Sequence, residues 1–185
     1  MKTLLLLLSL LTAFSINAQE KLATRNSEVF FEASVPLFEP VKAENKNVQC
    51  VLNTKKGTIS FTVDIENFSF ERSLMQEHFN KIYMESSKYP KATFKGLIEK
   101  FDLKNIASQP TEYYINGKIN LHGETKNIRV SATIKKVANG IEIISNFNLN
   151  TDDYKIEIPY IIRSKVSKSV KVSVKSVFIM GLIAQ

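Results

Sequence analysis

Residues 111–150 decide the fold, and they read TEYYINGKINLHGETKNIRVSATIKKVANGIEIISNFNLN. Apolar and polar side chains alternate in three runs within this stretch, which is the period of a β-strand with one buried face. Two tight turns separate the runs, at residues 122–125 and at Asn139-Gly140. Such turns join antiparallel neighbours and leave no room for a helical crossover. The stretch therefore predicts a three-stranded antiparallel meander.

The same alternation extends outward from this meander. Further strands are predicted at residues 29–31, 48–52, 59–65, 92–98 and 166–178. The period changes once, at Ser73, where a pattern with Gln76 three residues on resembles a capping box. Apolar side chains then recur at helical spacing until Pro90. The sequence predicts an all-β fold of about eight strands with one short inserted helix, and eight antiparallel strands suffice to close a barrel.

Composition sets the limits of this fold. With 185 residues, 44% of them hydrophobic, the chain has enough apolar material for one domain with a substantial core. Its one cysteine excludes an internal disulfide and any multi-cysteine metal site. Cys50 lies in an apolar run, which favours a buried structural thiol.

The N-terminal residues have the pattern of an export signal. A basic start at Lys2 leads into a leucine-rich run that ends at Ala18, before polar residues. This run is shorter than the ~20 residues that cross a bilayer. We expect residues 1–18 to be a signal peptide and residues 19–185 to form the domain, located in the periplasm or secreted.

The sequence offers few groups for catalysis. His78 and His122 are the only histidines, and a structural role is favoured for each over metal ligation or catalysis. The pair Asp152-Asp153 is typical of a turn or helix cap. The formal net charge of +7 arises mainly from scattered lysines. The basic run 163–175 is consistent with the solvent-exposed face of the last strand. We therefore expect no enzyme activity, no bound metal and no nucleic-acid partner, with transient contact with a membrane surface as a secondary expectation.

Three motifs resemble one known family. Residues 75–96, MQEHFNKIYMESSKYPKATFKG, are similar to the signature of the YceI-like proteins, and so are residues 115–126 (INGKINLHGETK) and 150–156 (NTDDYKI). The resemblance extends from about Val29 to Phe178. Thr151 stands where the family usually has Arg, and Lys155 where it usually has Gly.

The resemblance implies a lipocalin-like closed antiparallel barrel that holds a polyisoprenoid or similar long amphiphile. It implies no catalytic residue and no cofactor other than a bound isoprenoid lipid or quinone. Because Thr151 and Lys155 depart from the family pattern, the contact with the polar head group is expected to differ, and the ligand need not be an isoprenoid quinone. His78 is a candidate for orienting that head group. The candidate ligand-binding residues are Phe61, Val63, His78, Phe79, Ile82, Phe94, Ile98, Ile119, Leu121, Ile128, Val130, Ile143 and Phe147.

A second interpretation is kept beside the first. The same barrel filled by its own side chains would be an envelope stress or interaction module without a ligand. The two interpretations differ in whether the interior is hollow.

Overall fold

A computed structural model describes residues 21–180 of the chain. Its strands are β1 (Lys21–Ser34), β2 (Lys42–Asn53), β3 (Thr58–Asp64), β4 (Ser69–Phe70), β5 (Lys91–Ile98), β6 (Thr111–Leu121), β7 (Glu124–Val137), β8 (Gly140–Asn150) and β9 (Val166–Ile179). The helix α1 (Ser73–His78) continues into a wider π-helical turn (Phe79–Tyr83). Short 3-10 turns lie at Ile65–Asn67, Leu103–Asn105, Thr151–Tyr154 and Tyr160–Ile162. The predicted signal peptide, residues 1–18, lies outside the described residues.

Eight of the strands form a closed antiparallel ring. Each long strand pairs with the next one along the chain, and β1 pairs with both β2 and β9. The two-residue β4 adds to the first half of β2, where Ala43 faces Phe70. The prediction of a closed antiparallel barrel of about eight strands with one short helix is confirmed.

Because neighbouring strands run in opposite directions, their connections alternate between the two ends of the barrel. Residues 35–41, 65–90, 122–123 and 151–165 lie at one end, which we call the open end. Residues 54–57, 99–110 and 138–139 lie at the other, which we call the closed end.

The closed end contains a solid core. Its buried side chains come from strands all round the ring, and Phe101 and Leu103 of the longest closed-end connection pack against them. The strands approach closely there: a Cβ added to Gly140 would lie 1.7 Å from the carbonyl oxygen of Phe178. The cluster consists of Leu22, Cys50, Leu52, Ile59, Ile98, Ile106, Ile115, Ala132, Ile134, Ile141, Ile143 and Phe178.

The buried thiol of Cys50 belongs to this core, as its apolar neighbours suggested. Its side chain has no exposed surface, and burial raises the pKa of the thiol to about 12 despite hydrogen bonds with Ser176 and Ser27. The Ser176 hydroxyl donates to Ser27 Oγ at 2.7 Å. These polar groups satisfy one another inside an apolar region.

Two elements differ from expectation. β1 begins at Lys21, well before the predicted start at Val29. The early part was not predicted because a register shift between Thr24 and Ser27 and the inward-facing polar Ser27 interrupt the apolar alternation. The helix keeps its predicted start, but Ser73 does not cap it. Its N-cap is Arg72, with no side-chain hydrogen bond, and the Gln76 amide oxygen instead accepts from the Phe70 backbone N–H.

Candidate functional site: an apolar cavity at the open end

A cavity of about 550 Å³ lies between the closed-end core and the open-end connections. Its wall consists of inward-facing side chains from the strands, and the connections 35–41, 65–90 and 151–165 also contribute. No closed-end connection contributes to it. Among the charged side chains of residues 21–180, only Glu39 and Lys165 line the cavity, and both are exposed. The cavity therefore reaches solvent at the open end and is apolar further in.

Phe94 lies between the cavity and the closed-end core. Its ring packs against that core and also lines the cavity. The ring covers Gly117 on the adjacent strand, where a Cβ would lie 2.5 Å from the nearest ring atom. Gly96 meets the same ring. Glycine on both strands thus allows the ring to lie flat on the barrel wall.

Four phenylalanine rings fasten the helical segment to the barrel. Phe79, at the start of the π-helical turn, stacks on Phe31 of β1 with ring centroids 5.4 Å apart. It also contacts Phe68 at 5.6 Å and Phe70 at 5.0 Å. Such aromatic pairs stabilise beyond their buried area, by about 0.5–1.5 kcal/mol each. All four rings line the cavity, so one cluster both anchors α1 and forms part of the wall.

His122 holds three open-end segments together. Its Nδ1 lies 3.0 Å from the carbonyl oxygen of Tyr154, its Nε2 lies 3.2 Å from Glu85 Oε2, and its ring packs on Tyr89. The Tyr154 carbonyl and the ionised Glu85 carboxylate can only accept hydrogen bonds. His122 therefore donates to both at once when each of its ring nitrogens carries a proton. We call His122, Glu85, Tyr89 and Tyr154 the histidine clasp. These contacts join residues 84–90, 122–123 and 151–158 at the open end.

The polar groups of the inner wall stay uncharged. Burial raises the pKa of Tyr83 and of Tyr154, the latter helped by the nearby Asp153 charge. Both phenols therefore remain protonated at neutral pH. Thr151 is 8% exposed, and its hydroxyl oxygen has no hydrogen-bond partner among the described residues. It lines the cavity at the end of β8.

Lys155 occupies a position whose backbone conformation favours glycine. Its backbone lies in the left-handed region with φ of 53°, a conformation that glycine adopts without steric cost. The Lys155 ammonium pairs with Glu124 at 2.6 Å and so ties the connection 151–165 to β7.

Most of the predicted ligand-binding residues lie in the cavity wall. These are Phe61, Val63, His78, Phe79, Phe94, Ile119, Leu121, Ile128, Val130, Ile143 and Phe147. His78 is exposed where the cavity meets solvent, so it does not lie on a buried helix face. Contact of any of these residues with a ligand stays a prediction.

Two predicted residues lie elsewhere. Ile82 is 52% exposed, because the π-helical turn rotates it away from the barrel. Ile98 is 2% exposed within the closed-end core, since it stands at the closed end of β5. Neither lines the cavity.

The connection 151–165 contributes to the wall although no ligand-binding residue was predicted in it. Tyr154, Ile156 and Ile158 line the cavity and alternate with the charged Lys155 and Glu157. This short apolar alternation was the available signal. The aromatic residues around β4 were also missed, because β4 is too short for its period to be visible.

Membrane-spanning helices and clustered metal ligands are both absent from residues 21–180. No helix there is long and apolar enough to span a bilayer. No group of three or more His, Cys, Asp or Glu side chains in that range is arranged to hold a metal ion.

The chain matches the model of the YceI-like domain over residues 21–178 and belongs to the YceI-like family. Its fold is similar to a polyisoprenoid-binding domain from Saccharophagus degradans implicated in plant cell wall breakdown, with 14% identity, a TM-score of 0.75, and coverage of 88% of this chain and 99% of that one. It is also similar to Burkholderia cenocepacia BcnA, at 16% identity, a TM-score of 0.66 and coverage of 80% and 94%.

A third similar structure is the YceI protein of Campylobacter jejuni, at 20% identity, a TM-score of 0.58 and coverage of 77% of this chain and 88% of that one. At such identities the three structures establish the shared fold alone. No curated protein sequence matches the chain significantly.

Proposed function

We propose that this protein is a non-catalytic lipid-binding protein that holds a polyisoprenoid or a similar long amphiphile in its barrel. The observation that carries the proposal is the apolar cavity of about 550 Å³, within the usual range for small-molecule sites. An interior filled by side chains, as in the second interpretation, does not agree with this cavity. The polyisoprenoid-binding domain of similar fold supports the same ligand class.

The apolar wall favours a ligand whose tail lies in the inner cavity and whose head lies at the opening. Each buried methylene contributes about 0.8 kcal/mol, so roughly ten of them supply about 8 kcal/mol, equivalent to micromolar affinity before ordering costs. The inner wall offers no charge to such a tail, while the charged Glu39 and Lys165 lie where the cavity opens. The polar head therefore stays near the open end.

The same location suits the groups that could orient a head. His78 lies at the opening, and the Thr151 hydroxyl of the connection 151–165 has no hydrogen-bond partner within residues 21–180. Both groups favour a neutral or weakly polar head group. We propose a quinone or isoprenoid alcohol as examples of this chemistry.

Export is part of the proposal. The leucine-rich pattern of residues 1–18 supports a cleaved signal, with function in the periplasm or outside the cell. Sequencing the N-terminus of the protein from the periplasmic and medium fractions tests this. A start at Gln19 is expected, and an intact Met1 in the cytosolic fraction would contradict it.

The binding experiment blocks the cavity from within. The double variant V130F/V172F adds two rings to the wall, at residues from β7 and β9 that line the cavity. Displacing about two methylenes of a ligand costs roughly 1.6 kcal/mol, which lowers affinity more than tenfold. The probe is a fluorescent long-chain isoprenoid, titrated into delipidated protein.

The matched control is L97F, which adds a ring at a position 51% exposed on β5. The control should bind the probe as the wild type does. Mass spectrometry of organic extracts from the purified protein should recover a stoichiometric lipid. If no lipid is recovered and the wild type takes up no isoprenoid probe, the proposal is wrong.

A further inference from the structure

The exposed apolar side chains of the connections are concentrated at the open end. Leu37 is fully exposed, Tyr160 and Ile161 are each 85% exposed, Leu74 is 60% exposed and Phe38 is 43% exposed. No large apolar side chain of the closed-end connections is exposed. We call these five residues the apolar rim. Large exposed apolar side chains around one opening are typical of an interaction surface.

The rim is continuous with the cavity. Phe38 belongs to both, Met75 follows Leu74 and lines the cavity, and Ile162 follows Ile161 and does the same. Ser34 of β1 pairs with Val166 of β9, which brings the connections 35–41 and 151–165 side by side. Apolar surface therefore runs from the outside of the protein into its interior.

The rim is held in place by its own connections. An ion pair between Arg72 and Glu39 joins the start of α1 to the connection 35–41. The Arg163 guanidinium donates from Nε to the carbonyl oxygen of Ile158 at 3.0 Å and lies near the Tyr160 ring. The exposed side chains are thus presented by hydrogen-bonded turns.

The charges beside the rim favour an anionic partner. The segment after Glu157, residues 158–168, contains Arg163, Lys165 and Lys168 and no acidic residue. Lys168 pairs with Asp152, whereas Arg163 and Lys165 form no ion pair with any carboxylate in the described part of the chain. Apolar and aromatic side chains next to uncompensated cations match the interface of a bilayer that contains anionic lipid.

We propose that the apolar rim docks this protein onto an anionic lipid surface, with the cavity opening facing the bilayer. Leu37, Phe38, Tyr160 and Ile161 insert among the headgroups, and Arg163 and Lys165 contact lipid phosphates. Docking of this kind lets an apolar tail pass between bilayer and cavity without crossing water. That purpose rests on the proposed function, whereas the docking itself does not.

The test is flotation of the delipidated protein with vesicles of phosphatidylcholine, alone or mixed with phosphatidylglycerol. The wild type should float with the mixed vesicles and less with phosphatidylcholine alone, and high salt should reduce flotation. The variant L37N/I161N should bind at least about tenfold more weakly, because two apolar side chains no longer enter the interface. Asn at position 37 tolerates the local φ of 71°.

Two matched controls separate the rim from the rest of the surface. L97N/I179N removes two equally apolar side chains, 51% and 53% exposed, that lie on strands away from the opening. It should float as the wild type does. K165Q should weaken binding to mixed vesicles about fivefold, the effect of about 1 kcal/mol per basic residue, while K136Q at the closed end should have no effect.

Several outcomes would overturn docking. They are absence of flotation by the wild type, equal loss in L97N/I179N, or a wild-type dimer in analytical ultracentrifugation that L37N/I161N converts to monomer. The cavity-blocked V130F/V172F should float normally. If it floats while no isoprenoid probe binds the wild type, the proposed function fails and docking stands.

Discussion

The closed end and the open end of this barrel are built from the same alternating strands, yet the inward-facing side chains fill only the closed end. At the closed end, Phe101, Leu103 and Ile106 of one connection fold onto the strands and complete a solid core. At the open end, the rings around Phe79 gather on one side and leave a cavity beside them. The connections therefore decide whether an end is filled, because the strand period is the same at both.

The largest expected effect contrasts one phenylalanine from each end. Phe178 has no exposed surface in the closed-end core, so Phe178→Ala should lower the free energy of unfolding by about 4 kcal/mol. Phe147 is only partly buried and borders the cavity, so Phe147→Ala should cost about 1 kcal/mol or less. Urea unfolding measures both. Equal losses would mean that the two ends are packed alike.

A smaller loss of stability is expected at the histidine clasp. His122→Asn keeps a residue that tolerates the positive φ of 51° but removes both ring contacts. The Tyr154 carbonyl loses its partner, and the cost should be about 1–3 kcal/mol. Lys126→Asn, an exposed position on β7, serves as the control.

The same His122→Asn variant should loosen the open end in particular. Amide hydrogen exchange should increase in residues 84–90 and 151–158 and stay unchanged in the closed-end strands. Uniform acceleration throughout the barrel would show that the two ends unfold as one unit and would remove the distinction between them.

The smallest effect is expected for the thiol of the closed-end core. Because the pKa of Cys50 is raised to about 12, the group stays protonated at neutral pH, and its burial excludes reagent as well. A disulfide reagent should leave the native protein unlabelled over the time in which the unfolded chain reacts completely. Phe178→Ala should accelerate labelling, and the rim variant L37N/I161N should not. Rapid labelling of the wild type would indicate that the closed end opens locally.

The strands were predictable where one face is mostly apolar. In β6–β8 most inward positions carry an apolar side chain, with Gly117 and Ser145 as exceptions, and the turns at Gly123 and Asn139-Gly140 fix the pairing. The beginning of β1 was not predictable, because Ser27 faces inward and its polar partners, Ser176 and Cys50, lie far away in sequence. That partnership exists only once the barrel has closed.

The site was predictable in kind and incompletely in detail. The alternation of β5–β8 predicted seven of the eleven candidate residues that line the wall, but the strand period does not tell how deep a residue lies. Ile98 and Ile119 have the same alternation, yet Ile98 enters the solid core and Ile119 lines the cavity. Depth depends on which connection folds inward, and the connections carry no simple period.

Pairing of β1 with β9 has a consequence for how the molecule assembles. The two strands come from opposite parts of the sequence, and Ser27 and Ser176 meet across 149 positions. Contacts between such distant segments form late and slow the reaction, since a long loop must close before they are gained. Until β9 docks, β1 and β8 each present an unpaired strand edge that can recruit other chains. Aggregation through these edges should therefore compete with the pairing of β1 and β9 during refolding. A chain truncated before Val166 lacks β9 and should aggregate more than the full chain.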